Sequence, residues 1–313
     1  MLLDDIDSHS LRVVRAIADF GSITRAAESL GYSQPAISQH LRRLEGRIGM
    51  PLISRAGRGV RLTEAGRVLA RHAQTVTTAL DAAAGELADL RGLRTGRVRL
   101  AGFPSASSSL VPRLLSTMDA EHPGVTITYL EAEPPEAVTA VRENTADLAI
   151  TFSYPGDRMD PHRETARGLA VAPLWRDQMF VALPSAHPLA GNGSVDLAEL
   201  ADAAWIGGCV RCRGHLLELT AASGYAPRIV YETDNFLAVL RMVAEGGSVA
   251  LLPALALASA GAVEGVALRP TTRHDHRMVN LVAAVGADSV PAIAAMTEVL
   301  LRIDGREWGL ATT

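Results

Sequence analysis

The sequence predicts a small helical domain with a β-hairpin, then one long helix, then an α/β domain of two lobes. Three observations predict this organisation. Short amphipathic segments separated by glycines fill residues 1–62, an apolar stripe free of proline runs through residues 63–92, and strand-like and helix-like patterns alternate through residues 93–313. Such alternation is typical of βαβ units around a parallel sheet. The 313 residues are 48% apolar and 20% charged, which supplies enough apolar material for a core in each part.

Residues 20–63 have the pattern of an all-α winged helix-turn-helix domain, which we assign to residues 1–62. Two short helical segments are joined by Gly31 and Tyr32, and a basic hairpin containing glycines follows them. Ser33 is a natural N-cap for the second helix, and Pro35 is tolerated in its first turn because the missing N–H would be unpaired there anyway. In this motif the second helix enters the major groove of DNA.

The second helix has one apolar and one polar face. At about 100° per residue, Ile37, Leu41, Leu44 and Ile48 share a narrow sector, so we expect them to face the core. Glutamine can read adenine and arginine can read guanine on the opposite face, each pair discriminating by roughly 1–3 kcal/mol. A solvated surface helix would have the same polarity, so the face alone does not decide. The predicted DNA-binding residues are Ser33, Gln34, Pro35, Ser38, Gln39 and Arg42 on the helix, and Arg55 and Arg58 in the wing.

The charge distribution favours DNA. From Phe20 to His72 there are nine arginines and three acidic residues, whereas the whole chain has a net charge of −4. The chain contains no lysine, so the number of arginines alone says little. Their clustering in one segment of an acidic protein indicates a local polyanionic partner.

The N-terminal residues resemble the signature of LysR-type transcriptional regulators. The matching residues are Ala26-Ala27, Leu30, Ser33–Ser38, Leu44-Glu45, Gly49, Leu52, Arg55 and Leu62–Gly66, with Ile53 where the family usually has phenylalanine. Downstream, segments similar to the family's sensor domain are Asp147–Ile150, His187–Ala190 and Gly246–Pro253. The resemblance implies a regulator that binds double-stranded DNA as a homodimer or homotetramer, with a small-molecule effector and RNA polymerase as further partners. It implies no enzyme activity, cofactor or metal.

Residues 63–92 predict a long linker helix. Thr63 suits the N-cap, and Glu64 is favourable in the first turn. At about 1.5 Å per residue the helix is roughly 40 Å long, more than a small winged domain can cover. The near-heptad seam is Leu69, His72, Val76, Ala79, Ala83, Leu87 and Leu90. Because the family's linker helix pairs with a second subunit, we predict dimerisation through Leu69, Val76, Ala83 and Leu87; packing on the chain's own sensor domain is the alternative.

Residues 93–313 predict a two-lobed α/β sensor domain. Lobe I is assigned to about 93–170 and 270–313, and lobe II to about 171–269. Strands are predicted at 97–101, 125–130, 147–152, 179–183, 205–206, 229–231, 249–252 and 277–285, and helices at 110–121, 136–144, 215–223, 236–244 and 292–303. Two lobes with two crossing strands are similar to a periplasmic-binding-protein fold, which is also the fold of the family's sensor domain.

The predicted effector site lies between the lobes, since ligands bind beyond the carboxyl ends of strands in open α/β sheets. The serines at positions 105, 107, 108 and 109 follow the first strand and precede a helix, where free N–H groups would form an anion site; helix capping by the same serines is the alternative. Similar positions line the effector cleft in the LysR family, so the resemblance favours Ser105 and Ser107 as effector contacts. The predicted effector residues are Ser105, Ser107, Gly208, Cys209, Arg211 and Thr233.

Cys209 and Cys212 are the chain's two cysteines and form a CxxC pair. A helix start and neighbouring arginines lower a thiol pKa, and peroxide sensors of the LysR family carry a reactive cysteine in a similar region, so a redox-responsive regulator is one alternative. Metal binding with His215 would lack a fourth ligand, and simple packing is a third explanation. A CxxC oxidoreductase is less favoured, because such a motif should follow the first strand of a βαβ unit.

The sequence favours a cytoplasmic protein without a membrane partner. Its start, MLLDDIDSH, is acidic and lacks the basic and then apolar pattern of a signal peptide. The longest apolar run, residues 249–263, contains Pro253 and is too short to span a bilayer.

Overall fold

The structure is a computed structural model that describes residues 6–56, 59–90, 96–156 and 169–312. The helices are α1 (Ser8–Phe20), α2 (Ile23–Leu30), α3 (Gln34–Ile48), α4 (Glu64–Leu90), α5 (Pro104–Ser107), α6 (Leu110–Glu121), α7 (Pro134–Arg142), α8 (Val210–Ala222), α9 (Phe236–Gly246), α10 (Ala254–Ala260) and α11 (Pro291–Arg302). The strands are β1 (Ile53–Ala56), β2 (Gly59–Leu62), β3 (Gly96–Gly102), β4 (Val125–Glu131), β5 (Leu148–Ser153), β6 (Leu169–Pro184), β7 (Ala204–Gly207), β8 (Arg228–Glu232), β9 (Val249–Pro253), β10 (Val266–Pro270), β11 (His276–Ala284) and β12 (Leu310–Thr312).

The winged helix-turn-helix predicted at the N-terminus is confirmed. Helix α3 begins at Ser33, whose Oγ accepts a hydrogen bond from the N–H of Ala36, and it ends at Gly49 with a left-handed φ of 76°. Glycine suits this position because it adopts positive φ without steric cost. The domain's buried core includes Val13, Val14, Ile17, Ala26, Ala27, Ile37, Leu41, Leu44 and Leu52.

Helix α4 starts in direct contact with the wing. The Thr63 hydroxyl accepts a hydrogen bond from the N–H of Gly66 at 3.2 Å and donates to the carbonyl of Pro51 at 2.7 Å. A Cβ atom at position 66 would lie 2.1 Å from the carbonyl oxygen of Leu52, so only glycine allows this approach. The first turn of α4 is therefore fixed to the chain that leads into the hairpin.

The two ends of α4 pack against different parts of its own chain. Leu69 and Ala73 are buried in the winged core, and Ala82 is buried in the core of lobe I. This corrects the assignment of Leu69 to a dimer seam: its side chain is used to hold α4 on the winged domain. Further along, Leu80 is 55% exposed and Leu87 is 62% exposed.

The α/β domain is built on one long mixed sheet in the order β4-β3-β5-β11-β6-β9-β7-β8, with β10 and β12 also paired to β6. In lobe I, β3 runs parallel to β4 and β5, and in lobe II, β7 runs parallel to β8 and β9. Strand β11 pairs antiparallel with β5, so the C-terminal part returns to lobe I. The predicted two-lobed α/β architecture is confirmed.

The boundary between the lobes lies within strand β6, later in the chain than predicted. Residues 169–178 pair with β11 and β12 in lobe I, whereas residues 179–184 pair with β9 and β10 in lobe II. The first lobe thus extends beyond the predicted boundary at 170. The strand was missed there because Pro173 interrupts its pattern. Pro173 is accommodated at a register shift opposite Val279 and Asn280, where the regular ladder of hydrogen bonds is already broken.

The helices in the described part of the chain are all too short or too polar to serve as membrane-spanning segments.

Candidate DNA-binding surface and effector cleft

The outward face of α3 carries a row of connected polar side chains. Nε2 of Gln34 donates a hydrogen bond to Oγ of Ser38 at 2.8 Å, and Nε of Arg42 donates to the carbonyl of Ser38 at 3.3 Å. Gln34 and Arg42 are exposed and Ser38 is half-buried. The three residues are each four positions apart, so they lie one above another along the helix.

The other predicted residues of this surface divide into two groups. Ser33, Pro35 and Gln39 are exposed at the start and side of α3. In the wing, Arg55 lies on β1 opposite Val60, but the structure does not describe the Arg55 side chain. Arg58 lies outside the described residues. Both wing assignments stay predictions.

Hydrogen bonds that the sequence did not predict connect the wing to α3 and to the end of α1. Oε1 of Glu45 on α3 accepts hydrogen bonds from the N–H groups of Leu52 at 2.7 Å and Ile53 at 3.3 Å. The N–H of Val60 donates to the carbonyl of Gly21 at 3.1 Å. The helices and the hairpin are therefore connected by hydrogen bonds, and Arg61 of the hairpin is exposed.

A cleft between the lobes lies beyond the ends of β3 and β7, where ligands are expected in such sheets. Its volume, including the open mouth, is about 570 Å³. Of the predicted effector residues, those that line it are Ser105, Gly208, Cys209 and Thr233. Ser107 and Arg211 do not belong to the lining: the Ser107 hydroxyl contacts the Tyr129 hydroxyl at 2.7 Å, and the Arg211 guanidinium lies 5.8 Å from the centre of the Phe152 ring.

The structure does not support an anion site at the serines. Helix α5 is only four residues long, and Oγ of Ser105 accepts a hydrogen bond from Nη2 of Arg277 at 2.6 Å. Nε of Arg277 is itself 2.8 Å from Oδ2 of Asp177, with both side chains almost fully buried. Hence the hydroxyl of Ser105 already has a hydrogen-bond partner, and Arg277, the one cationic side chain among the described residues that line the cleft, is already paired with a carboxylate.

This buried ion pair was not predicted, because its members are 100 residues apart in the chain. Asp177 lies on β6 and Arg277 on β11, and the two crossing strands bring them together. The Arg277 guanidinium also lies over the rings of Phe103 and Phe152, at 4.8 and 4.4 Å from their centres. Oδ1 of Asp177 accepts the N–H of Leu255 at 3.1 Å, so the pair also links β6 to α10.

The two cysteines meet on the cleft wall as free thiols. Their Sγ atoms are 2.9 Å apart, and Sγ of Cys209 caps α8 by accepting the N–H of Cys212 at 3.4 Å. A hydrogen bond from Cys209 and the nearby charge of Arg277 lower the pKa of Cys212 to about 7. The same hydrogen bond, together with burial, raises the pKa of Cys209. Cys212 is thus the thiol that carries negative charge near neutral pH.

Two other residues complete the surroundings of the thiols. Burial, followed by the neighbouring Cys209, raises the pKa of Glu133 to about 8, and its Oε2 is buried without a hydrogen-bond partner in the described structure. The His215 ring stacks on Tyr154 with 3.8 Å between ring centres. Among the described residues, no group of three or more histidine, cysteine and acidic side chains could hold a metal ion, which argues against the Cys209, Cys212 and His215 metal site.

A second cavity separates the winged domain from lobe I, and charged groups lie along it. Arg15 and Asp19 of α1 face Arg142 and Glu143 at the end of α7. Nε of Arg15 is 2.9 Å from Oδ1 of Asp19. Burial raises the pKa of Asp19 to about 6, although the charge of Arg15 opposes the shift.

Two family models match this chain. "Bacterial regulatory helix-turn-helix protein, lysR family" matches residues 8–67, and "LysR substrate binding domain" matches residues 91–303. A probable hydrogen peroxide-inducible genes activator from Mycobacterium leprae is 32% identical over 265 residues, covering 82% of this chain and 79% of that protein. A probable RuBisCO transcriptional regulator from Synechocystis is 31% identical over 190 residues, covering 61% of this chain and about half of that protein (53%).

Solved structures share the whole architecture. A full-length OxyR variant from Pseudomonas aeruginosa superposes with a TM-score of 0.69 at 22% identity, covering 95% of this chain and 93% of that one. Full-length CbnR in complex with its target DNA gives a TM-score of 0.51 at 20% identity, covering 97% of this chain and 100% of that one. These likenesses concern the fold, whereas the family models match most of the sequence. The chain therefore belongs to the LysR family of transcriptional regulators.

Proposed function

We propose that this chain binds operator DNA in the cytoplasm through α3 and the wing, and that a small molecule in the cleft changes this binding. The observation that carries the proposal is the hydrogen-bonded row of Gln34, Ser38 and Arg42 along α3, next to the stripe that its buried leucines form. Amide and guanidinium groups in such a row can read base edges in the major groove. Arginines of the wing, such as the exposed Arg61, are suited to phosphate contacts.

The test is a gel-shift and footprint on the DNA upstream of the protein's own gene, repeated over a range of salt concentrations. Arg42→Ala should weaken binding to the operator more than binding to unrelated DNA. Arg61→Ala should weaken both and reduce the salt slope by about one. Arg228→Ala is the control, because Arg228 is an exposed arginine on β8 of lobe II. Equal operator affinity of wild type and a Gln34→Ala/Arg42→Ala double variant would overturn the assignment.

The working form we propose is an oligomer held partly by α4. Leu80, Ala83 and Leu87 are exposed along one side of this helix at spacings of three and four residues, which is the pattern of a coiled-coil seam. The assignments of Ala83 and Leu87 are retained, and Leu80 is added to them. Val76, also in the predicted seam, is half-buried against the winged core and lies at the start of this stripe.

A redox-responsive regulator is the second candidate. It is favoured by the 2.9 Å between the two sulfurs and by the likeness to the probable hydrogen peroxide-inducible genes activator. In the step proposed, the Cys212 thiolate attacks a hydroperoxide, forming an S–O bond while the O–O bond breaks and the alcohol or water leaves with a proton. The Cys209 thiol then attacks this sulfenic acid, forming a disulfide and releasing water.

Mild peroxide treatment followed by footprinting tests this candidate. If the pair switches, peroxide changes the wild-type footprint and leaves the footprints of Cys209→Ser and Cys212→Ser unchanged. An identical wild-type footprint before and after treatment, with both thiols still titratable, would rule the switch out.

A further inference from the structure

We propose that the Cys209–Cys212 pair is a chelating site for a trivalent arsenic or antimony compound, and that such a compound is the effector of the cleft. The inference rests on the proposed function, since it names the ligand class of the same cleft. Both cysteines line the cavity; Cys209 caps α8 in lobe II, and Cys212 lies in the first turn of that helix. A ligand held there would face Glu133 and the aromatic side chains of lobe I.

The spacing of the two sulfurs selects the kind of centre. Two thiolates on a tetrahedral zinc ion, with Zn–S bonds of about 2.3 Å, lie about 3.8 Å apart. A pyramidal trivalent centre with bond angles near a right angle holds two thiolates closer together than a tetrahedral centre with bonds of the same length. The observed separation is 2.9 Å, so a small side-chain rotation reaches the pyramidal geometry and a larger one is needed for zinc.

The number of donors points the same way. A structural zinc site needs four ligands, and the described residues contain no group of three or more suitable side chains. The chain has two cysteines in all, which is sufficient for a trivalent centre that keeps one hydroxyl or one organic substituent. The two-thiol site is therefore complete for arsenic or antimony and incomplete for zinc.

The walls of the cleft suit a neutral ligand with an apolar part. Arg277 is paired with Asp177, so the cleft offers no unpaired cation from its described lining to attract an oxyanion such as arsenate. Arsenous acid and phenylarsine oxide are uncharged near neutral pH. Oε2 of Glu133, buried and without a hydrogen-bond partner in the described structure, lies on the same cleft and can bond to a hydroxyl on the metalloid.

The binding reaction needs no oxidant. Arsenous acid, As(OH)3, reacts with the two thiols to give a dithioarsenite that keeps one hydroxyl, and two water molecules leave. Two As–O bonds break, two As–S bonds form, and each thiol proton goes to a departing hydroxyl. Because Cys209 also caps α8, the new bonds act directly on the first turn of a lobe II helix that faces lobe I.

The experiment uses the full-length protein with arsenite and phenylarsine oxide. Native mass spectrometry should show one phenylarsine per chain, with a dissociation constant at least tenfold higher for Cys209→Ser and Cys212→Ser, since each variant keeps a single thiol. A dithiol competitor should remove the ligand and a monothiol should not. Phenylarsine oxide should also shift the wild-type affinity for the operator.

Three results would overturn the proposal: single-thiol variants that bind phenylarsine oxide as tightly as wild type, zinc bound as tightly as arsenite, or arsenical binding that leaves operator affinity unchanged. Operator binding is measured first without any ligand. Failure at that first stage would count against the proposed function, and its success followed by any of the three results would count against the metalloid site alone.

Discussion

The proposed DNA-binding face of α3 and the floor of the proposed effector cleft are built in opposite ways. The α3 face consists of exposed and half-buried side chains within nine residues of one another, and its hydrogen bonds run along one helix. The cleft floor consists of buried groups brought together from distant strands, such as Asp177 and Arg277. The α3 side chains can be changed at little cost to folding, whereas the cleft side chains hold the domain together as well as forming its ligand site.

The largest effect should follow from breaking the buried pair. Asp177→Ala leaves the Arg277 charge buried without its carboxylate and should lower the free energy of unfolding by about 3–5 kcal/mol. Urea denaturation followed by circular dichroism measures it. Asp304→Ala removes the partner of Arg306 in an exposed pair, 2.7 Å apart, and should leave the urea midpoint close to the wild-type value, because water screens this pair. A similar loss of unfolding free energy in the two variants would mean that the buried pair is no more important for stability than an exposed one.

On the α3 face, Arg42→Ala should cost about 1–3 kcal/mol of operator binding while the urea midpoint stays at the wild-type value. Fluorescence anisotropy with operator and unrelated DNA measures the binding. A drop in stability comparable to the drop in affinity would mean that Arg42 stabilises the folded domain rather than contacting DNA.

Substitutions in the exposed stripe of α4, like those on the α3 face and unlike those in the cleft, should change an interaction without unfolding the chain. Leu80→Asp/Leu87→Asp places two charges in the proposed seam and should convert the oligomer to smaller species in light scattering. Leu301→Asp is a matched control, since Leu301 is as exposed as Leu87, both at 62%. A wild-type mass for the double variant would place the interface elsewhere.

The cleft thiols allow a pH test. Because the pKa of Cys212 is lowered to about 7, its alkylation by iodoacetamide should rise between pH 6 and 8 and level off above that range. Cys209→Ser replaces the hydrogen-bonding thiol and should shift the midpoint. A midpoint near that of a free cysteine in the wild type would contradict the assigned thiolate.

The smallest effect is expected at the junction between the winged domain and lobe I. The pKa of Asp19 is raised to about 6, above its value in an unfolded chain, so the protonated form is favoured by folding. Its contribution is present at low pH and is lost as pH rises through about 6. Asp19→Asn should therefore melt at a higher temperature than wild type at pH 8, with a smaller difference at pH 5. An equal difference at both pH values would assign another role to Asp19.

The contrast also decides what the sequence could predict. The start, the end and the buried face of α3 follow from local patterns: Ser33 is the N-cap, Gly49 is the C-cap, and four aliphatic residues lie on one face. Helix α6 was predicted with its observed bounds, 110–121, for the same reason. In the cleft, local patterns mislead: serines next to a helix predict an anion site, but the structure assigns Ser105 to Arg277, 172 positions away.

Long-range pairing also explains the missed elements. Residues 169–178 carry Pro173, Arg176 and Asp177, a composition that does not predict a buried strand, and the strand exists because β11 and β12 pair with it. The linker helix was predicted in extent, but its face was assigned without knowing that α1 and lobe I each cover part of it. Leu69 was placed in the wrong interface for that reason, and Leu80 was overlooked.

The contact between Gly66 and the carbonyl of Leu52 has a mechanical consequence. No side chain separates the first turn of α4 from the segment that leads into the wing, while Ala82 near the other end of the same helix is set into lobe I. A tilt of lobe I would therefore act on the wing through one continuous helix. Two subunits joined along α4 could alter the angle between their reading heads, and hence the bend of the DNA between half-sites, while each head keeps its internal structure.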